Sequence, residues 1–409
     1  MWTPVLEPEH AARALSVVRQ IADALRAAPS EGLDAAIDAE HAVLFAHLAE
    51  AWPAQGYEDE ALQYVERATR SGAHGQRGAA LFGGLTGVGW AIDLLHGRLF
   101  EADGDPNAAV DALLMRTVAR SPWTAPYDLI SGLVGIGVYA LQRLPRESAA
   151  TILAQVVARL GETAEPRDEG ITWRTRREWR PNRNPGGPIE DPGYDLGVAH
   201  GVPGVIALLG AVCAAGIEVP RARALLDGAV AWTLAQRLPP GSESVFPYST
   251  RPGERGEAAR LAWCYGDAGI AVALWSAAHA VHQPSWTRDA LAIARQGASR
   301  LDGAHDVRDA GICHGAAGLG HLYNRLFQAT GDEVFRDTAR AWFARALAMQ
   351  RPDAGIAGYL SFHAGTDSWD KDSSFLTGVN GIALALLAAA TPCAPLWDGR
   401  ILAALPIDT

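Results

Sequence analysis

The chain has 409 residues, 49% of them apolar and 20% charged, a globular composition that excludes extended disorder. That length is large for one hydrophobic core unless the chain closes into a ring or barrel. A net charge of -11 argues against nucleic acid as the main partner, since phosphate binding needs a basic surface; it leaves a cationic peptide open.

The N-terminus runs Met1-Trp2-Thr3-Pro4 and soon meets Glu7, Glu9 and His10, with no basic stretch leading into an apolar one, so no signal peptide is expected. The longest apolar run, near 382–390, is too short to span a bilayer. Four cysteines, Cys213, Cys264, Cys313 and Cys393, are too sparse for a disulfide scaffold. These features predict a cytoplasmic protein whose thiols stay reduced and free to hold metal. Abundant Ala and Arg with few Lys suggest a GC-rich bacterial source.

Along the chain a G-x-x-G element recurs six times, at Gly84/Gly87, Gly132/Gly135, Gly201/Gly204, Gly266/Gly269, Gly315/Gly318 and Gly378/Gly381. A seventh copy is expected at Ala39/Ala42, with alanine for glycine, 45 residues before Gly84. Apolar stretches follow, for example 136–144, 205–215, 270–280 and 382–390, and a helix apolar all round is a buried one. Between them lie amphipathic stretches at 60–68, 148–160, 222–237, 288–301 and 334–349, which read as helices solvated on one side. Buried and half-exposed helices alternating around a closed ring predict an all-α fold, an α/α toroid of six to seven helix pairs. One domain spanning 1–409 is expected. The segment 161–194 breaks the repeat; it is rich in Arg, Pro and Gly, with a strand candidate at Ile171-Thr172-Trp173-Arg174 and Trp179 nearby. It reads as an irregular or β-hairpin insertion on the rim, either a plain surface loop or a contact for substrate.

The loop before each inner helix must turn tightly, which glycine allows, and these loops should converge on one end of the barrel. Polar residues gather at that point. Asp128 is four before Gly132, and His200 directly precedes Gly201. Cys264 is two before Gly266; Cys313 and His314 are two and one before Gly315. Two thiols and an imidazole suit zinc, and three protein ligands leave a fourth position open for chemistry. Lone cysteines on apolar segments are usually core residues, which fits Cys213 and Cys393. His200 with Asp128 forms a plausible proton-transfer pair, since a carboxylate can orient and charge an imidazole. His200 as a fourth ligand would instead close the site. Arg260 and Tyr265 flank Cys264, and Trp263 reads as packing.

At these residues the chain resembles the lanthionine synthetase C family, the lantibiotic cyclases, over about 39–389. The resemblance rests on Tyr127-Asp128-Leu129-Ile130-Ser131-Gly132, Ala199-His200-Gly201-Val202-Pro203-Gly204, Arg260-Leu261-Ala262-Trp263-Cys264-Tyr265-Gly266 and Cys313-His314-Gly315-Ala316-Ala317-Gly318. It implies one zinc held by Cys264, Cys313 and His314. It further implies a zinc-dependent lanthionine synthetase that adds cysteine thiols of a dehydrated precursor peptide (leader plus core) to dehydroalanine or dehydrobutyrine. Thioether rings result from this Michael-type addition. In that scheme His200 protonates the enolate, and Asp128 orients it or takes up the thiol proton. Arg260 and Tyr265 hold substrate or stabilise the enolate. With no fused dehydratase, a stand-alone antibiotic-biosynthesis enzyme served by a separate dehydratase is expected, with peripheral association to a membrane-bound biosynthetic or export complex as a further partner. Competing readings are a relative that adds a small thiol such as glutathione to dehydroamino acids in proteins, and a non-catalytic scaffold for peptide and dehydratase. A zinc prenyltransferase is another, though its ligand motifs do not match.

Overall fold

The computed structural model describes all residues except 29–33, 73–77, 180–192, 255, 302, 304–305, 364 and 407–409. Among the described residues, seven helices buried almost all round form an inner ring: α2 (Ala35–Ala51), α4 (Leu85–Leu95), α6 (Leu133–Gln142), α8 (Val202–Ala214), α10 (Asp267–Ala280), α12 (Ala316–Thr330) and α14 (Val379–Ala390). Each packs on the next, and α14 packs on α2, so the ring closes.

Seven outer helices bury one face each: α1 (Pro8–Ala27), α3 (Tyr57–Gly72), α5 (Ala108–Val118), α7 (Glu147–Thr163), α9 (Val219–Ala235), α11 (Pro284–Ala298) and α13 (Glu333–Ala348). The α/α toroid expected from the repeats is therefore present with seven pairs. Helices α1 and α5 were not anticipated: α1 lies before the first repeat, and α5 buries only Asp111, Leu114 and Val118, so its apolar stripe is narrow. Helix α1 closes the outer layer against α14, although it lies at the other end of the sequence. The amides of Val5 and Leu6 both donate to the Ala389 carbonyl, at 2.9 and 3.2 Å, and Trp2 Nε1 donates to that of Ala388 at 2.7 Å.

The alanine repeat behaves differently from the glycine ones. Ala39 lies inside α2, which starts at Ala35 behind an Asp34 cap accepting the Ala36 amide at 2.8 Å. Alanine favours helix where glycine allows a turn, so α2 continues an extra turn beyond the place where the other inner helices begin.

Among the described residues, three two-stranded antiparallel pieces decorate one end of the ring. Strand β1 (Glu165–Arg167) pairs with β2 (Gly170–Thr172), β3 (Tyr194–Asp195) with β4 (Ser249–Thr250), and β5 (Ser361–His363) with β6 (Ser368–Asp370). The first pair realises the hairpin expected in 161–194. The strand is shorter than Ile171–Arg174, because Trp173 turns inward and its Nε1 donates to the Leu160 carbonyl at 2.9 Å. Residues 161–163 belong to α7, Trp179 ends a 3₁₀ turn, and 180–192 lie outside the described residues.

Near the C-terminus lies a 3₁₀ helix, Leu396–Ile401, with Trp397, Asp398, Arg400 and Ile401 buried. Asp398 accepts from His321 Nε2 at 2.7 Å and from Arg325 Nη2 at 2.8 Å, both on α12. No described helix is long and apolar enough to cross a membrane.

Candidate metal centre

Every G-x-x-G places its first glycine as the N-cap of an inner helix and its second three residues inside. A Cβ on the second glycine would fall between 2.0 and 2.4 Å from a carbonyl oxygen six residues earlier, for instance Ile312 for Gly318 and Trp263 for Gly269. The preceding loop folds back over the first helical turn, and only a residue without Cβ leaves it room.

These folded-back loops are stitched to one another around the ring. The Leu81 amide donates to the Ile130 carbonyl, Leu129 to Ala199, Ala199 to Cys264, Cys264 to Cys313 and Cys313 to Leu376, at 3.1, 3.2, 3.4, 3.1 and 2.7 Å. Where the alanine repeat has no such loop, side chains complete the circuit. Glu40 Oε2 accepts the Phe375 amide at 2.9 Å, Glu40 Oε1 pairs with Arg400 Nη1 at 3.1 Å, and Arg400 Nη2 donates to the Leu81 carbonyl at 2.8 Å. The residues just before the glycines therefore meet at one end of the barrel, as the repeat alignment predicts.

Two adjacent rungs of this circuit carry Cys264 and Cys313. Their sulfurs and one ring nitrogen of His314 all lie within 4.8 Å of one another. His314 Nε2 faces the Phe362 carbonyl at 3.4 Å and Asp309 Oδ2 at 3.7 Å, which leaves Nδ1 as its free donor. Cys264 is held well below the ordinary thiol value: a hydrogen bond from Cys313 outweighs burial, with His314 and Arg260 adding to the effect. The first proton lost belongs to the pair, and Cys313 is pushed up in turn by its thiolate neighbour. Two soft donors and an imidazole, one thiolate already favoured, fit a zinc ion.

One rung away, His200 Nδ1 lies 2.5 Å from Asp128 Oδ2, and Asp128 Oδ1 accepts the Ser131 amide at 2.8 Å. The carboxylate is fixed by its own loop, while the His200 side chain is 36% exposed and open to a ligand. Tyr265 is buried with its ring 6.4 Å from that of His200 and 5.8 Å from that of Tyr248. The Arg260 guanidinium lies 5.8 Å from the Tyr248 ring, and its shielded Nε has no hydrogen-bond partner among the described residues. Burial lowers the Arg260 pKa, but Cys264, Tyr248 and Cys313 together outweigh it and raise it. All seven residues singled out from the sequence thus fall on four loops joined in series around the ring.

The family profile described as lanthionine synthetase C-like protein matches residues 41–402. The chain belongs to the lanthionine synthetase C-like family. A solved structure described as nisin cyclase superposes with a TM-score of 0.71 at 17% identity, covering 97% of this chain and 98% of that one. The likeness shows that the two share the α/α toroid fold.

Within this lanthionine synthetase C-like chain, sequence reasoning missed Asp309, Tyr248, Glu40 and Arg400. Asp309 had a usable signal. Six residues before the first glycine stand Asp195, Asp309 and Asp372 in three repeats, and Arg260 occupies the same place before Gly266. Arg400 had none, since its partners Glu40 and Leu81 are more than 300 positions away. Trp263 packs as expected: it is 2% exposed, with Nε1 on the Ile401 carbonyl. Cys393 is buried and its thiol is pushed up to about 12, mainly by desolvation, whereas Cys213 is only half-buried on α8.

Proposed function

We propose that the chain is a cyclase that adds cysteine thiols of a dehydrated precursor peptide to dehydroalanine or dehydrobutyrine, forming lanthionine and methyllanthionine rings. The observation that carries this reading is the cluster of Cys264, Cys313 and His314, three donors within 4.8 Å of one another beside the His200–Asp128 pair. Family membership and the fold shared with a nisin cyclase support it.

Zinc held by Cys264, Cys313 and His314 would supply a Lewis acid that lowers the pKa of a substrate thiol from about 8.5 toward neutrality. Arg260, charged and unpaired at Nε beside Cys264, favours anionic sulfur there and the enolate that follows. The peptide sulfur bonds to the β-carbon, and the electron pair of the double bond moves to the α-carbon and its carbonyl. His200, with Nδ1 held by Asp128, presents Nε2 and delivers a proton to that α-carbon. The proton released by the thiol returns to the His200–Asp128 pair through solvent, so the sum is addition of S–H across the double bond. Tyr265, wedged between His200 and Tyr248, orients the imidazole and borders the substrate.

The reading calls for a separate dehydratase to supply the substrate, in a cytoplasmic setting with reduced thiols, with or without a membrane-bound export complex. Purified protein incubated with a dehydrated precursor should consume peptide thiols faster than the uncatalysed reaction and yield a product of unchanged mass. Thiol loss at the uncatalysed rate would sink the cyclase reading, and protein with no zinc by metal analysis would sink the metal assignment.

A further inference from the structure

Asp309 is five residues before His314 and its side chain is 1% exposed. One oxygen, Oδ1, accepts the Gly311 amide at 3.1 Å and so caps its own loop. The other, Oδ2, accepts the Phe362 amide of β5 at 2.9 Å and lies 3.7 Å from His314 Nε2. The carbonyl of that same Phe362 lies 3.4 Å from His314 Nε2. One residue of the β5–β6 hairpin is thus gripped through its N–H by the carboxylate and presents its C=O to the imidazole. Its ring is held as well, 5.1 Å from Trp369 and 4.5 Å from the Arg308 guanidinium.

Asp372 shows what an aspartate at this repeat position does by default. It uses Oδ1 on the Ser374 amide at 2.7 Å and Oδ2 on the Thr377 hydroxyl at 2.6 Å, both in its own loop. Asp309 keeps the local cap but sends its second oxygen across to a different element, at the place where His314 needs a partner. An imidazole whose Nε2–H is committed to an acceptor has one tautomer and one ring orientation, with the lone pair on Nδ1.

We infer that Asp309, acting through the β5–β6 hairpin, is a positioning residue that fixes the tautomer and orientation of His314 as a metal ligand. This rests on the zinc reading above. Asp309→Asn keeps the volume and an oxygen for the Gly311 cap but removes the charge and one acceptor.

The experiment measures zinc affinity by competition with a chromophoric chelator, together with the absorption spectrum of the cobalt(II)-substituted protein. In Asp309→Asn, zinc binding should weaken about 10- to 100-fold. The cobalt bands should shift or lose intensity, while the metal-free protein melts close to the parent. Parent-like affinity with an unchanged cobalt spectrum overturns the inference. Equal weakening in Asp372→Asn overturns it too, because the effect would then belong to loop capping in general. Phe362→Ala leaves the carboxylate in place and frees the hairpin from Arg308 and Trp369; it should weaken zinc in the same direction, and parent-like affinity there counts against the inference. A parent protein that binds no zinc would instead remove the metal reading on which the inference stands.

Discussion

Trp263 Nε1 donates to the carbonyl of Ile401 at 2.9 Å, across 138 positions of sequence. The residue after Trp263 is Cys264, so one cysteine loop leans directly on the C-terminal segment. The other leans on it through Arg400, Glu40 and the Phe375 amide, next to the Leu376 carbonyl that receives Cys313. Glu40 and Arg400 are nearly inaccessible, with side chains 6% and 4% exposed. Arg400→Met should therefore cost about 3–5 kcal/mol, the penalty of leaving a buried charge unpaired. Urea unfolding measures it, and adding Glu40→Gln to Arg400→Met should recover a large part.

Replacing His200 tests the proton donor apart from the metal. His200→Asn should slow thiol addition to a dehydrated peptide by about 10²- to 10⁴-fold while leaving zinc content at the parent level. Asp128→Asn retains an oxygen for the Ser131 amide and should fall in the same range through the lost carboxylate on Nδ1. A loss of zinc along with activity in either variant would tie these residues to the metal instead.

Acid should weaken the fold through buried imidazoles. Burial pushes His41 down to about 4 from its ordinary 6.5, with Ser373 as its carbonyl partner and Arg67 adding to the shift. Between pH 6.5 and 4 the unfolded chain binds a proton that the folded one refuses. Stability is therefore full above 6.5 and falls as pH drops, by up to about 3 kcal/mol for this residue. Burial holds His47 and His321 down as well, which steepens the loss. Burial raises the carboxyl of neighbouring Glu40, which acts in the opposite sense. Urea midpoints at pH 7.5, 5.5 and 4.5 measure the sum, and a flatter profile for His41→Gln isolates the imidazole.

Gly318→Ala tests the folded-back loops. Its Cβ would lie 2.0 Å from the Ile312 carbonyl oxygen, backbone that cannot yield without moving Cys313 and His314. The variant should lose several kcal/mol in urea unfolding, about the range of severe core overpacking, and most of its zinc. Gly78→Ala, with nothing within 4 Å of the added carbon, should match the parent in both.

Much of this architecture was legible because it repeats. Glycine pairs mark six inner helices, and the chemistry-bearing residues lie one to four residues before them, so the repeat alone brings Asp128, His200, Cys264, Cys313 and His314 to one end of the ring. What escaped was carried by no local period. Helix α1 pairs with α14 from the far end of the chain, and Arg400 reaches a carbonyl 319 positions away. The hairpin that holds His314 escaped because its key contacts are the backbone N–H and C=O of Phe362, which side-chain identity does not encode. The Ala39 repeat was placed correctly as an inner helix, but not the turn it loses or the Glu40 side chain that bridges the gap.

The circuit of amides and carbonyls divides each connection into two parts with different freedom to change length. The last six residues before an inner helix are pinned by their own helix and by the neighbouring loop, so one inserted residue there would shift a rung and both its neighbours. Upstream, in stretches such as 167–170 and 351–358, the described chain lies outside the rungs and can change length without shifting one. Descendants of this architecture can thus vary those rim segments while the rungs stay in register, as long as the hairpin that carries Phe362 keeps its place beside His314.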